Sequence, residues 1–122
     1  MTNKILITGG AGHIGGALAR KLVKNSKNYL TIVDDLSTGS QSKLPSEKFE
    51  NFEFIKADVN NLESIKNSIY NKKFDFVFHY AAVVGVERTL VDPEKVLNDI
   101  QGVKNILNLC KKVNAKRIFY SS

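Results

Sequence analysis

The sequence predicts an α/β fold: a doubly wound parallel sheet of about five strands, in the order 3-2-1-4-5, with helices on both faces. Three observations carry this. Short apolar runs alternate with segments whose apolar residues recur at helical spacing. A glycine-rich stretch joins the first apolar run to the first helical segment, and an acidic pair closes the second apolar run.

Ile5–Thr8 reads as a short buried strand, and His13–Asn25 as a helix with Ile14, Leu18, Leu22 and Val23 on one side. Tyr29–Val33 is a second strand, ending at Asp34-Asp35. Residues 36–50 are polar, carry Gly39 and Pro45, and read as a loop with at most a short helical turn. Phe52–Ala57 is a third strand, Leu62–Tyr70 a helix with Leu62, Ile65 and Ile69 aligned, and Phe76–His79 a fourth strand. Pro93 is expected to open a long helix behind an Asp92 N-cap. Val96, Ile100, Val103, Leu107 and Cys110 form one stripe on it, widened by Leu97, Ile106, Leu109 and Val113. A stripe that broad points to burial on two sides. Arg117–Tyr120 is a fifth strand, and right-handed crossovers complete the topology.

The 122 residues suffice for one domain with a modest core. Hydrophobic residues at 43% and charged residues at 25% match an ordinary soluble domain. No run approaches the roughly 20 apolar residues of a membrane span, and Ile5–Ile7 breaks at Thr8-Gly9-Gly10, too early for a signal peptide. The expected location is therefore cytoplasmic, with no membrane partner. The net charge of +6 is scattered rather than striped with aromatics, so no nucleic-acid partner is expected. The single cysteine, Cys110, has neither an internal disulfide partner nor metal-ligand company, and reads as a small core residue.

The chemistry sits in Thr8-Gly9-Gly10-Ala11-Gly12-His13-Ile14-Gly15-Gly16. Gly10, Gly12 and Gly15 fit G-x-G-x-x-G, while Gly9, Gly12 and Gly15 fit G-x-x-G-x-x-G. Either way one glycine makes the tight turn, one admits a pyrophosphate to the backbone, and one packs helix against strand. The helix start then offers N–H groups and a positive dipole end to the diphosphate. A P-loop is excluded, because Gly16-Ala17 stand where Lys and Ser/Thr are needed. Asp34 lies 19 residues beyond Gly15, where a carboxylate accepts from both ribose hydroxyls and repels a 2′-phosphate. No arginine lies between Arg20 and Arg88 to receive such a phosphate, so the expected cofactor is NAD rather than NADP. Asp35 is equally readable as a loop cap or an adenosine contact.

With these motifs the chain resembles the NAD-dependent epimerase/dehydratases, the extended short-chain dehydrogenase/reductase family, with its Rossmann-like sheet incomplete at the C-terminal side. Val33-Asp34-Asp35-Leu36-Ser37-Thr38-Gly39 resembles the adenosine-wrapping loop of nucleotide-sugar epimerases. Ala57-Asp58-Val59 resembles the adenine contact, Phe78-His79-Tyr80-Ala81-Ala82 the H-x-A-A segment, and Phe119-Tyr120-Ser121-Ser122 the start of the serine-rich active-site strand. The resemblance implies cofactor contacts at Gly9, Gly12, His13, Ile14, Gly15, Asp34, Asp35, Ser37, Thr38, Gly39, Asp58, Val59, Tyr80, Ala81, Ala82, Val84 and Asp99. Val84 stands where relatives often carry Lys, and Asp99 where they often carry Asn. His13 is expected to contribute backbone only, and His79 to be a packed strand-end residue.

The family's chemistry uses a Tyr-x-x-x-Lys pair. Four positions beyond Tyr29, Tyr70 and Tyr80 stand Val33, Phe74 and Val84, and Tyr120 is two residues from the last, so the 122 residues hold no such pair and no catalytic residue. The expectation is an N-terminal fragment: the NAD-binding portion of a nucleotide-sugar epimerase or dehydratase, like UDP-glucose 4-epimerase, inactive alone. The nucleotide sugar belongs to the intact protein, and a homodimer through helix 93–113 is implied by the resemblance. A non-enzymatic NAD(P)-binding regulator on the same fold, or another short-chain oxidoreductase such as a sugar or steroid reductase, are the alternatives.

Overall fold

The computed structural model describes residues 2–81 and 93–120, with side chains described from 101 onward in the last helix. Five strands, β1 (Asn3–Thr8), β2 (Asn28–Asp34), β3 (Phe52–Lys56), β4 (Phe76–His79) and β5 (Arg117–Tyr120), form one sheet ordered β3-β2-β1-β4-β5. All four pairings are parallel, as alternating strands and helices dictate. The helices are α1 (His13–Leu22), α2 (Leu62–Lys66) and α3 (Pro93–Val113), and Gln41–Lys43 forms a single 3-10 turn in the loop after β2.

Strand side chains alternate between two apolar layers. Ile5, Ile7, Leu30 and Ile32 pack with Ala19 and Val23 on the α1 side. Leu6, Val33 and Val77 pack with Ile65, Ile69, Ile106 and Leu109 on the side of α2 and α3. Both faces of β1 and β2 are covered, which is why their sequences read as continuous apolar runs.

Asparagines close the amino edge of the sheet. Asn51 donates its amide to the carbonyls of Val23 and Asn28 at 2.9 and 2.8 Å. Asn28 donates to the Leu22 carbonyl at 3.0 Å. Asp75 accepts from the Lys4 N–H at 2.9 Å, and its carbonyl accepts from Lys116 at 2.8 Å, tying β1, β4 and β5 together. At the opposite, carboxyl edge the register sets Thr8 beside Val33 and His79, Asp34 beside Lys56, and His79 beside Tyr120.

Several boundaries differ from the sequence expectation. Strands β1 and β2 begin earlier, because Asn3 and Asn28 continue the ladder whatever their polarity. Helix α1 stops at Leu22, where the Asn28 side chain takes the Leu22 carbonyl. Regular helix in α2 stops at Lys66, and Ser68 bonds back to the Ser64 and Ile65 carbonyls, a local competition that bends the chain into turns. Ile14 and Leu62, expected on buried faces, are 68% and 43% exposed, since each sits in the first turn of its helix, at the rim of the sheet. On α3, Gly102, Asn105, Ile106 and Leu109 are buried, whereas Val103 and Cys110 are half-buried and Leu107 is exposed. The expected Asp92 cap and the side chains of Val96, Leu97 and Ile100 lie outside what is described. Among the described residues no helix is long and apolar enough to cross a membrane.

Candidate functional site

The carboxyl edge gathers the sequence-predicted residues. Beyond β1 the chain turns through Gly9, whose φ of +71° is the left-handed conformation that favours glycine. Its N–H donates to the Val33 carbonyl at 2.7 Å, and a Cβ there would lie 2.7 Å from the Tyr80 carbonyl carbon. Gly9 thus lets the turn pass between the ends of β2 and β4. Gly15 brings α1 down onto that turn: a Cβ on it would run into the Gly9 carbonyl oxygen. Gly12 is the N-cap, no side chain caps α1, and its first turn carries no acidic residue. The N–H groups of His13, Ile14 and Gly15 precede the first intrahelical bond to the Gly12 carbonyl, so among the described residues no side chain caps them at the positive helix end. The His13 and Ile14 side chains are exposed.

Asp34 is buried, 8% exposed, yet its carboxylate faces the turn. Oδ2 accepts from the Ala11 N–H at 3.0 Å, and Oδ1 from the Leu36 N–H at 2.8 Å. Each oxygen keeps a further lone pair, enough for two ribose hydroxyls. The next residues fold back over the carboxylate: Ser40 donates its N–H to the Ala11 carbonyl at 2.9 Å, and Gly39 lies against Asp34 and Ala11. Asp35 accepts from the Ser37 N–H at 2.9 Å, a local turn, and both Ser37 and Thr38 are exposed beside it. Leu36 holds a φ of +64°, unusual for a leucine, and its anchor is the bond to Asp34.

At the end of β3, Asp58 accepts from the Asn60 N–H at 2.9 Å through Oδ1, and its own N–H donates to Ser64 Oγ at 3.0 Å. No donor among the described residues reaches Oδ2. Val59 is buried, and its carbonyl accepts from Asn105 Nδ2 at 2.8 Å. At the end of β4, His79 is buried and its ring lies parallel to Tyr120, centroids 5.7 Å apart. It is the packed strand-end residue the sequence predicts. Tyr80 and Ala81 follow, half-buried, directly across from Gly9. Ala82 and Val84, and Ser121 and Ser122, lie outside the described residues, and of Asp99 only its place on α3 is described.

Three residues escaped the sequence reading. Thr8 Oγ1 lies 2.7 Å from His79 Nδ1 and accepts from the N–H groups of Tyr80 and Ala81 at 3.1 and 3.2 Å. With both lone pairs engaged, its proton goes to Nδ1, which assigns His79 the neutral tautomer protonated at Nε2. Asn105 is 2% exposed on α3; it also accepts from Gln101 Nε2 at 2.8 Å, and its carbonyl accepts from the Tyr70 hydroxyl at 2.7 Å. Leu36 is the third. A polar residue ending an apolar strand, and an asparagine inside an apolar helical stripe, are the available signals for the first two; nothing in the sequence marks a left-handed leucine.

Burial pushes the Cys110 thiol up, which suits a core residue rather than a nucleophile. Burial, then the hydrogen bond from its hydroxyl to Glu53 and the Glu53 charge, raise the Tyr29 phenol on the far side of the sheet. Among the described residues no cluster could hold a metal ion. The site is therefore made of glycine backbone, two carboxylates and small side chains on one rim. Gly9 and Gly15 let strand end and helix close tightly at this turn, and among the described residues no side chain caps α1, so the residues fit a dinucleotide.

Comparison with known proteins agrees. Residues 5–122 match the model of the NAD dependent epimerase/dehydratase family. A UDP-glucose 4-epimerase of Streptomyces lividans is 30% identical over all of this chain and 36% of its own length. A UDP-N-acetyl-alpha-D-glucosaminuronate decarboxylase of Bacillus cytotoxicus is 37% identical, again over all of this chain and 37% of its own. The structure of epimerase Mth375 from Methanothermobacter thermautotrophicus superposes with a TM-score of 0.90 at 32% identity, covering 99% of this chain and 35% of that one. The chain thus spans about a third of the length of these relatives. A family match over nearly every residue, on a sheet whose order is that of the solved relatives, shows that this chain belongs to the NAD-dependent epimerase/dehydratase family.

Proposed function

We propose that this chain is the NAD-holding part of a nucleotide-sugar epimerase of the UDP-glucose 4-epimerase kind. The observation that carries the reading is the bond between Ala11 and Asp34, because it locks the ribose-binding carboxylate to the glycine turn as one unit. Diphosphate binds at the N–H groups of His13, Ile14 and Gly15, ribose at Asp34, and adenine between the 34–39 loop and Asp58-Val59. Tyr80 and Ala81, anchored on Thr8, form the floor on which the dinucleotide crosses the sheet. NAD held there would supply reversible hydride transfer at a sugar carbon. The residues on this rim bind and orient; none of them moves the substrate proton. Self-association through α3 belongs to the same reading, supported by the exposed Leu107 beside half-buried Val103 and Cys110.

Asp34 sets the choice of cofactor. Its carboxylate opposes a 2′-phosphate, and the nearby Arg20 guanidinium is directed to the Lys43 carbonyl at 2.6 Å. Calorimetric titration is expected to show NAD binding at least ~10-fold more tightly than NADP, with Asp34→Ala weakening NAD by ~10-fold and narrowing the gap. A preference for NADP in the unmodified chain overturns the cofactor assignment. Incubation with NAD and UDP-glucose is expected to leave the sugar unchanged, and measurable epimerisation by the 122 residues contradicts the division between holding and using the cofactor.

A further inference from the structure

The buried amide of Asn105 has no place in the cofactor contacts above, yet it is bound on every side. Nδ2 donates to the Val59 carbonyl, Oδ1 accepts from Gln101, and the backbone carbonyl accepts from Tyr70. One turn earlier on α3, Gly102 leaves the space that the neighbouring turn occupies: a Cβ there would strike the Asn60 side chain and lie 3.2 Å from Val59 Cγ2. Gly102 and Asn105 therefore form a notch, and the turn leaving β3 sits in it.

The peptide unit held in that notch has two ends. Its carbonyl, from Val59, is held by Asn105; its N–H, from Asn60, donates to Asp58 Oδ1. The unit is planar and rigid, so fixing the carbonyl fixes the direction of the N–H. That N–H orients the Asp58 carboxylate, whose Oδ2 is left for a ligand. Gln101 orients the Asn105 amide in turn: by donating to Oδ1 it leaves Nδ2 as the group facing Val59.

We propose that Asn105 is a positioning residue for the adenine end of the cofactor site, setting the direction of the Asp58 carboxylate through the 59–60 peptide. This rests on the reading of Asp58-Val59 as the adenine contact. Adenine presents a donor at its amino group and an acceptor at N1. A carboxylate next to a backbone N–H matches that pair only if both point correctly. Hypoxanthine presents the reverse pattern, so the ratio of affinities for NAD and for nicotinamide hypoxanthine dinucleotide reports the orientation of this edge, and loss of stability alone leaves that ratio unchanged.

The test is calorimetric titration of the protein and its variants with both dinucleotides. The unmodified protein is expected to prefer NAD by ~10-fold or more, and Asn105→Leu to bring the two affinities within ~2-fold of each other, chiefly by weakening NAD. Gln101→Ala, at an exposed position that does not threaten folding, is expected to give an intermediate ratio. A full preference for NAD in folded Asn105→Leu overturns the proposal, as does an unchanged ratio in Gln101→Ala should Asn105→Leu not fold. Equal affinities in the unmodified protein overturn the adenine reading itself and the proposal with it, a result distinct from discrimination that survives the substitutions.

Discussion

Replacing Gly15 by alanine is expected to weaken NAD binding by ~100-fold or more while leaving the sheet folded. The added Cβ would run into the Gly9 carbonyl oxygen, with the Gly9 carbonyl carbon at 2.9 Å and the Gly10 Cα at 3.1 Å. All three are backbone atoms of the turn, so no rotamer change relieves the collision; α1 must lift away from β1. Overpacking of this kind costs ~1–3 kcal/mol. The larger loss is in binding, because the lifted helix start carries with it the N–H groups of His13, Ile14 and Gly15, and charge-assisted hydrogen bonds depend on both distance and direction. Gly16→Ala is the control. Its Cβ would meet Arg20 Nη1 at 3.1 Å and the Lys43 Cβ and carbonyl oxygen at 3.2 Å, where α1 packs under the 41–43 turn and away from the glycine turn, so a flexible arginine and a loop can yield. Affinity within ~3-fold of the unmodified chain is expected there. Calorimetry with NAD and urea unfolding separate the two effects. Binding by Gly15→Ala as tight as that of the unmodified chain would falsify the placing of the diphosphate on this turn.

The parts of the molecule readable in the sequence are those where one residue type has one physical job. The sheet order follows from the alternation of strand and helix, since parallel neighbours require crossovers. Gly9 and Gly15 mark the turn because a φ of +71° with Tyr80 backbone where a Cβ would stand, and a helix lying on its own turn, leave room for glycine alone. Asp34 is legible from its distance from that turn, and the distance matters because the chain returns to bring the carboxylate onto the Ala11 N–H. What the sequence concealed depends on tertiary neighbours. Ile14 looks like a core residue by spacing, but it occupies the rim at the helix start. Regular α2 ends early because Ser68 competes for the Ser64 and Ile65 carbonyls, a local choice that apolar spacing does not register. Thr8 and Asn105 are ordinary residues by type, and their importance comes from what three separate segments leave unsatisfied around them.

Thr8 illustrates this with the largest expected effect on stability. Valine has its shape without its hydroxyl, so Thr8→Val removes one oxygen and little else. In the unmodified chain that oxygen is fully buried, receives the N–H groups of Tyr80 and Ala81, and donates to His79 Nδ1. Tyr80 has a second acceptor, the Thr8 carbonyl at 3.1 Å, and keeps it after the substitution. The Ala81 N–H and His79 Nδ1 lose the partner described for each. Each such lost hydrogen bond costs ~1–3 kcal/mol, so the two together cost ~2–6 kcal/mol, a large share of the stability of a domain this size. Urea unfolding is expected to show that loss. Thr8→Ser, which restores the hydroxyl and gives up one methyl, is expected to recover all but ~1 kcal/mol of it. The cofactor readout should follow the same order, since Ala81 loses its tether to β1 in the valine variant alone. A valine variant as stable as the serine variant would mean that the Thr8 hydroxyl is incidental, and that the segment after β4 is held by its backbone ladder.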